Sequence, residues 1–235
     1  MNICLKMMHS MLRHECLLCL AACPGRLLCA ACSESLPRLA GTVCPSCALP
    51  IPGEPGGAAC GRCLQDPPVW HGILAGWTYA FPLDRLIHAF KYRHAFGLAE
   101  ELVRPLVQRC PVLPRPDFLL PMPLHPLRQR ERGYNQSLLL ARELERALGL
   151  PLLVRACRRR RSTAVQTGLS AAERWRNLHQ AFDCNAAVRG RHIAIVDDVM
   201  TSGASLHHLT RALLAAGAAR VDGWVLARAL PGRAS

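Results

Sequence analysis

The sequence predicts an α/β domain with a mostly parallel sheet and flanking helices, preceded by a small, loop-rich, metal-binding module. Three observations support this fold. Four C-x-x-C pairs fall within residues 16–63, strand-like and helix-like segments alternate after Pro67-Pro68, and one apolar strand ends in two aspartates just before a helix. Such alternation is typical of parallel sheets. We place the metal module at residues 14–66 and the α/β domain at residues 70–230 of the 235-residue chain.

The C-x-x-C pairs predict structural zinc. A gap of two residues lets both thiolates of a tight turn face one ion, and two such turns supply a tetrahedral site. The module has too little apolar mass for a core of its own, so two zinc ions would replace that core. Disulfides are the alternative, and they need an oxidising compartment. The eight predicted ligands are Cys16, Cys19, Cys29, Cys32, Cys44, Cys47, Cys60 and Cys63.

The grouping of these eight cysteines stays open. Sequential pairing leaves gaps of nine and 12 residues between the pairs that share an ion, and interleaved pairing is also possible. The other five cysteines have no partner at metal-ligand spacing. We predict that they act as small buried hydrophobic residues. They are Cys4, Cys23, Cys110, Cys157 and Cys184.

Strands and helices of the α/β domain are expected in alternation. The predicted strands are residues 72–80, 117–121 and 152–154, and the predicted helices are residues 83–92, 97–110 and 135–148. Gly149 can close the last of these helices as a left-handed cap. An apolar stripe at helical spacing predicts which face of that helix is buried. The stripe consists of Leu138, Ala141, Leu144 and Leu148.

The segment from Arg191 to Ser205 is the most informative part of the domain. An apolar strand ends at Asp197 and Asp198, and a turn of small residues, Thr201–Ser205, opens a helix. Free amides at a helix N-terminus and nearby hydroxyl groups suit a phosphate, and adjacent carboxylates suit sugar hydroxyls, directly or through hydrated Mg²⁺. The pattern predicts a ribose-phosphate site. The alternative is an ordinary strand-to-helix turn capped by two acids.

Charge is concentrated in the α/β domain. The chain carries a net charge of +13, and 27 of its 29 basic residues are arginine. Residues 128–176 alone have 12 arginines and four acids, which favours phosphate-rich partners, although a GC-rich genome also enriches arginine. Eight thiolates with two zinc ions would change the net charge from +13 to about +9. The metal module would then be mildly acidic.

The sequence contains no apolar stretch of the roughly 18 residues that cross a bilayer. The candidate targeting segment is Cys16 to Ala22, because Leu20-Ala21-Ala22-Cys23 resembles a lipoprotein cleavage box. Against it, this apolar run has only seven residues and follows Glu15 directly. We therefore expect a cytoplasmic protein without a membrane span.

The residues Val196 to Ser205 resemble the signature of type I phosphoribosyltransferases, in which two acids and a small-residue turn follow an apolar strand. Together with other segments they resemble the ComF family, across most of residues 16–228. Those segments are the four C-x-x-C pairs, Pro121-Met122-Pro123-Leu124-His125-Pro126, Arg132-Gly133-Tyr134-Asn135-Gln136, Thr163 through Gln166 to Leu169, and Arg174 through Asn177 to Ala181-Phe182.

The resemblance implies roles for individual residues. Phosphoribosyl pyrophosphate would bind with Mg²⁺, its diphosphate neutralised by arginines of the 121–132 loop, Arg132 first. A flexible loop, Arg158 to Phe182, would close over the site. The implied catalytic residues are Arg132 and Arg160. The implied ligand-binding residues are Asp197 and Asp198 for the ribose and Thr201, Ser202, Gly203, Ala204 and Ser205 for the 5-phosphate.

The resemblance also implies a function: a cytoplasmic protein of natural competence that assists the uptake or use of external DNA. Its partners would be single-stranded DNA and a competence helicase or other DNA-uptake proteins. A second hypothesis is an active phosphoribosyltransferase with an unknown acceptor. Thr201 stands where purine-salvage enzymes often carry an acid, which disfavours purine salvage. A zinc-ribbon transcription factor is a third hypothesis, and it leaves the ribose-phosphate motif unexplained.

Overall fold

The computed structural model describes residues 15–51, 58–110, 114–159 and 181–231. Its N-terminal part contains two units, and each consists of a C-x-x-C turn followed by a short helix. In both turns the first cysteine accepts a backbone hydrogen bond from the residue four positions on, at 2.9 Å from Leu20 and 2.8 Å from Ala48. These two residues have positive φ, 62° and 55°. The helices are α1 (Ala30–Glu34) and α2 (Gly61–Gln65).

The α/β domain is built on a parallel sheet of four strands in the order β1, β6, β5, β2. Val196 in the centre of β5 pairs with Trp224 on one side and Pro121 on the other, so β5 and β6 are internal strands. The predicted parallel sheet is therefore confirmed. Its strands are β1 (Gly72–Thr78), β2 (Phe118–Pro121), β5 (His192–Met200) and β6 (Arg220–Arg228); β3 (Cys157–Arg159) and β4 (Phe182–Cys184) form a separate antiparallel pair.

Helices cover both faces of the sheet. Alternate residues of β5 belong to different cores: Ala194 and Val196 pack with three helices on one face, and Ile193 and Ile195 pack with a single helix on the other. This two-sided burial explains the continuous apolar run of β5. The helices are α3 (Leu83–Tyr92), α4 (Leu98–Arg109) and α6 (Gln136–Leu148) on the first face, α7 (Ala204–Ala215) on the second, and α5 (Pro126–Arg132) after β2.

Two local predictions were wrong, and a third was correct only in part. Residues 152–154 form only one bridge, Leu152 with Leu119, because the chain turns away at residues 154–155. The 121–132 loop contains a helix, α5, which starts with Pro126 and is capped by His125. The predicted stripe of α6 was correct in part: Ala141 and Leu144 are buried, but Leu138 and Leu148 are half-buried, and Ser137 and Leu140 are buried beside them.

Cys157 and Cys184 are joined by a disulfide between β3 and β4, with a Cα–Cα distance of 4.2 Å. Sequence reasoning treated both only as packing residues. They lie 27 positions apart, so no local pattern connects them, and only the antiparallel register brings them opposite each other.

The two cysteine units contact different parts of the domain. Cys16 and Leu28 of the first unit share a core with α3 and α4. The chain between the units runs along β1, where Thr78 donates to Pro37 at 2.8 Å and Leu39 donates to Gly76 at 3.1 Å. Within the described ranges, none of the helices combines the length and apolar character needed to cross a bilayer.

Candidate functional site

The eight predicted cysteine ligands form two groups of four, and within each group all sulfurs lie within 4.8 Å of one another. The Sγ atoms of Cys19 and Cys29 are 3.7 Å apart, and those of Cys47 and Cys60 are 3.6 Å apart. Tetrahedral zinc with bonds of about 2.3 Å requires a separation of about 3.8 Å. The grouping is sequential, and both groups are compatible with structural zinc. We call these the two Cys4 groups, for their four cysteine ligands; residue Cys4 itself belongs to neither. The first Cys4 group is Cys16, Cys19, Cys29 and Cys32, and the second is Cys44, Cys47, Cys60 and Cys63.

Backbone amides favour the thiolate form in both groups. Burial opposes ionisation, but hydrogen bonds from the backbone of Cys19 and Cys29 lower the pKa of the Cys16 thiol to about 6. In the second group, burial is likewise outweighed by backbone hydrogen bonds, first from Cys60, and the pKa of Cys44 falls to about 7. Since zinc binds the thiolate, these amides prepare the first cysteine of each turn for metal.

Asp197 and Asp198 lie near the carboxyl end of β5, where open parallel sheets bind ligands. Asp198 is buried, and its Oδ2 lies 2.9 Å from Nζ of Lys91 in α3. Oδ1 of Asp197 accepts hydrogen bonds from Ser137 Oγ at 3.0 Å and from the Asp198 amide at 2.9 Å. Burial, followed by the charge of Asp198, raises the pKa of Asp197 to about 7. We call these two residues the acid pair.

The turn Thr201–Ser205 follows directly after β5. Gly203 has φ +79°, and a Cβ atom there would lie 3.0 Å from both Met200 Cε and Trp70 Cη2, so glycine is required. Thr201 and Ser202 are exposed, and Ser205 is half-buried. The acid pair and the turn therefore share one edge of the sheet, with hydroxyl groups accessible from solvent.

Two arginines lie near the acid pair: Arg159 interacts electrostatically with Asp197, and Arg132 interacts with Lys91. Arg132, at the end of α5, donates to Tyr92 Oη at 2.9 Å and stacks 4.8 Å from the centre of that ring. Arg159 in β3 stacks on Phe182 at 5.7 Å. Burial, then the charge of Arg128, lowers the pKa of Arg159. Arg160 and most of the predicted flexible loop, including Thr163 and Gln166, lie outside the described residues.

Sequence reasoning missed three residues at this edge: Lys91, Ser137 and Arg228. Lys91 had one available signal, because it is one of only two lysines in the chain. Ser137 lies 60 positions from its partner Asp197, and no local pattern indicates that contact. Arg228 ends β6 as part of an apolar strand, so the sequence gives no sign of its contacts.

Arg228 is buried, with 5% of its surface exposed. Its Nη1 donates to the carbonyl oxygens of Met200 at 2.8 Å and Thr201 at 2.6 Å. Its Nε donates to the carbonyl oxygen of Cys47 at 2.8 Å. A single guanidinium thus connects the second Cys4 group to the start of the turn.

Residues 135–234 match the phosphoribosyl transferase domain family. DNA utilization protein YhgH of Escherichia coli (strain K12) is 40% identical over 209 residues, covering 86% of this chain and 91% of that protein. Competence protein F of Haemophilus influenzae is 36% identical, covering 72% of this chain and 78% of that protein. Competence protein ComFC of Bacillus subtilis is 29% identical, and the match covers 87% of this chain and 85% of that protein.

Two solved structures show low similarity to this chain. Glutamine phosphoribosylpyrophosphate amidotransferase from B. subtilis has 19% identity and a TM-score of 0.40, covering 56% of this chain and 26% of that one. Purine phosphoribosyltransferase from Pyrococcus horikoshii has 20% identity and a TM-score of 0.31, covering 66% and 77%. The family assignment rests on the sequence relatives: this phosphoribosyltransferase-like α/β chain with two Cys4 groups belongs to the ComF family of competence proteins.

Proposed function

We propose that the protein binds phosphoribosyl pyrophosphate at the acid pair and the turn Thr201–Ser205. One observation carries this proposal: the acid pair and an accessible hydroxyl-rich turn lie at the carboxyl end of one internal parallel strand. The ribose hydroxyls would donate to Asp197 and Asp198. The 5-phosphate would accept hydrogen bonds from the hydroxyls of Thr201, Ser202 and Ser205 and from the amides of Gly203 and Ala204.

The arginines around the acid pair suit the diphosphate of the ligand. Arg132 is held by Tyr92 on the α5 side of the site, and we propose that it contacts the diphosphate. Arg160 directly follows β3, and we propose it as a second diphosphate contact. If the protein catalyses phosphoribosyl transfer, the two guanidinium groups would stabilise the negative charge on the departing pyrophosphate. An active phosphoribosyltransferase is the alternative function, and its acceptor is unassigned.

Carboxylate oxygens fit Mg²⁺, but Lys91 already neutralises one charge of the acid pair. We therefore propose that Mg²⁺ enters together with phosphoribosyl pyrophosphate, bound mainly by the ligand's own oxygens. The ion would neutralise charge on the diphosphate. Asp197 and Asp198 would hold the ribose side of that complex.

The relatives named for competence and DNA utilization support a role in the use of external DNA. We propose single-stranded DNA as a partner, engaged through the arginines of residues 128–176, together with a competence helicase or other DNA-uptake proteins in the cytoplasm. Phe182 is buried and Tyr134 is half-buried, so these two aromatic side chains offer little surface for base stacking in this proposal. Binding would be tolerant of sequence and sensitive to salt.

Calorimetry tests the ligand site. Zinc-loaded protein is titrated with phosphoribosyl pyrophosphate in the presence of Mg²⁺, and Asp197→Ala combined with Asp198→Ala is expected to abolish the binding heat. Asp84→Ala, on the surface of α3, is the matched control and should bind like the wild type. Equal affinity of the double variant and the wild type would refute the site.

A second titration tests the DNA role separately. Single-stranded DNA is titrated at several salt concentrations, with and without phosphoribosyl pyrophosphate. We expect affinity to fall steeply as salt rises, in proportion to the phosphates neutralised. An affinity that does not change between low and moderate salt would refute the arginine contact while leaving the ligand site standing.

A further inference from the structure

The second Cys4 group lies close to the turn Thr201–Ser205: Trp70 and Arg228 connect the two, and a further contact joins the group to β1. Trp70 donates from Nε1 to the carbonyl oxygen of Ser46 at 2.6 Å, and its ring lies where a side chain at Gly203 would otherwise be. The backbone of Ile73 in β1 donates to Pro45 at 2.8 Å. Residues 44–47 are therefore held on one side by β1 and on the other by the Trp70 ring, which lies beneath the turn Thr201–Ser205.

Arg228 makes the third contact, and it is the most direct. The same side chain binds the carbonyl oxygen of Cys47 and those of Met200 and Thr201, and it also binds that of Ala229 at 2.8 Å. Nε donates to one of these oxygens, and the three others share the two hydrogens of Nη1, so two nitrogens of the guanidinium are held by backbone carbonyls. Its charge also lies close enough to the thiols of Cys47, Cys60 and Cys63 to interact with them.

Chemistry gives a reason for placing a buried arginine here. Zinc with four thiolates carries a net charge of −2, so the occupied group would attract the guanidinium, while the turn carbonyls orient it. Arginine suits this position because Nε and Nη1 donate from two separate nitrogen atoms held in one plane, whereas lysine donates from a single nitrogen. Anything that shifts the cysteine turn must move Arg228, and thereby the backbone of Met200 and Thr201.

We propose that Arg228 is a positioning residue that couples zinc in the second Cys4 group to phosphate binding at the turn Thr201–Ser205. The inference rests on the proposed function, since it assumes a phosphate ligand at that turn. Coupling between two sites is reciprocal: if zinc prepares the turn for phosphate, a bound phosphate must hold zinc more firmly. The first Cys4 group has no such contact among the described residues and serves as the internal reference.

The test follows the release of zinc at each cysteine. Zinc-loaded full-length protein is mixed with a zinc chelator and N-ethylmaleimide, and the alkylation rate of each cysteine is measured by mass spectrometry. Ribose 5-phosphate is the probe, because it lacks the diphosphate that would itself chelate zinc, and ribose is the control. We expect saturating ribose 5-phosphate to slow alkylation of Cys44 and Cys60 at least threefold and to leave Cys16 and Cys29 unchanged.

Variants then test the residue itself. Arg228→Lys keeps the charge but loses most of the fixed hydrogen bonds, so it should weaken ribose 5-phosphate binding at least fivefold and remove the protection of Cys44 and Cys60. Arg85→Lys, at an exposed position of α3, is the control and should behave like the wild type. The wild-type comparison requires no variant, so it remains decisive if Arg228→Lys fails to fold.

The possible failures are distinct. If wild-type protein does not bind ribose 5-phosphate, the proposed ligand site is wrong and this inference falls with it. If ribose 5-phosphate binds but protects neither Cys4 group, or protects both equally, the coupling through Arg228 is refuted and the ligand site stands. Normal binding by Arg228→Lys with protection intact would also refute it.

Discussion

The two Cys4 groups have the same four thiol ligands in the same C-x-x-C pairs and the same hydrogen-bonded turn, yet they support different parts of the molecule. The first packs behind α3 and α4, where the buried Ser33 of α1 hydrogen bonds to Glu101 of α4. The second lies against the strand ends, where Arg228 and Trp70 connect it to the turn after β5. Similar local structure therefore says little about what a metal unit does.

The comparison also shows two routes to one site. From the first group the route is indirect: the group packs on α3, and α3 carries Lys91 to the acid pair. The second group is connected directly, because the single side chain of Arg228 contacts both Cys47 and Thr201. We therefore expect damage to the first group to appear mainly as lost stability, and damage to the second to appear also as lost ligand binding.

The largest effect is expected from removing one ligand in each group. Cys29→Ser and Cys60→Ser should each reduce bound zinc from two ions per chain to one, and each should cost more than about 5 kcal/mol of stability, because structural zinc contributes about 10–16 kcal/mol. Only Cys60→Ser is expected to weaken ribose 5-phosphate binding in protein that remains folded. Elemental analysis and calorimetry measure the two outcomes, and equal loss of binding in both variants would erase the distinction.

The next effect concerns the indirect route. Lys91→Met leaves Asp198 buried without its cation, which should cost about 3 kcal/mol of unfolding free energy at pH 8. Part of this cost should vanish at pH 6.5, because a proton on the acid pair replaces the lost charge. Lys91→Arg is the control, since it keeps the charge. Denaturant titrations at both pH values measure the effect, and a pH-independent loss would contradict the electrostatic explanation.

Ser33→Ala tests the first group's contact with α4. The hydroxyl donates to a charged carboxylate, so its removal should cost about 1.5 kcal/mol. Alkylation of Cys29 and Cys32 should become faster in the presence of a chelator, while Cys44 keeps its wild-type rate. Ser35→Ala is the matched control. It removes an exposed hydroxyl that donates to the Cys32 carbonyl, and it should lower stability less than Ser33→Ala.

The smallest effect is a pH dependence at the acid pair. In the folded protein the pKa of Asp197 is about 7, above its ordinary value of 3.8. The folded state thus holds a proton that the unfolded chain releases, and this contribution to stability is present below about pH 4 and is lost as pH rises through 7. In denaturant titrations, the unfolding free energy of the wild type should fall by about 1 kcal/mol from pH 6 to pH 8, relative to that of Asp197→Asn. If the difference in unfolding free energy between the wild type and Asp197→Asn stays constant with pH, the pKa of Asp197 is not raised.

Sequence reasoning succeeded where the information is local. The strand that carries the acid pair, the helix after the turn and the Gly149 cap each depend on residues within about ten positions, and each was confirmed. The predicted end of that strand was wrong: β5 does not end at Asp198 but continues to Met200, because Val199 and Met200 still pair with β6. The exact face of α6 was missed because Asn135 caps the helix and Ser137 turns inward to Asp197. The Arg228 and Lys91 contacts span 181 and 107 positions, and only the folded sheet and helices bring those partners together.

The ion pair of Lys91 also has a practical consequence. Since 27 of the 29 basic residues are arginine and the other lysine is Lys6, amine-directed reagents meet very few targets in this chain. Lys91 is held against Asp198 with 21% of its side chain exposed, so acylation should be slow while the pair is closed. The rate at which a mass tag appears on that one residue would report how often the acid pair is released.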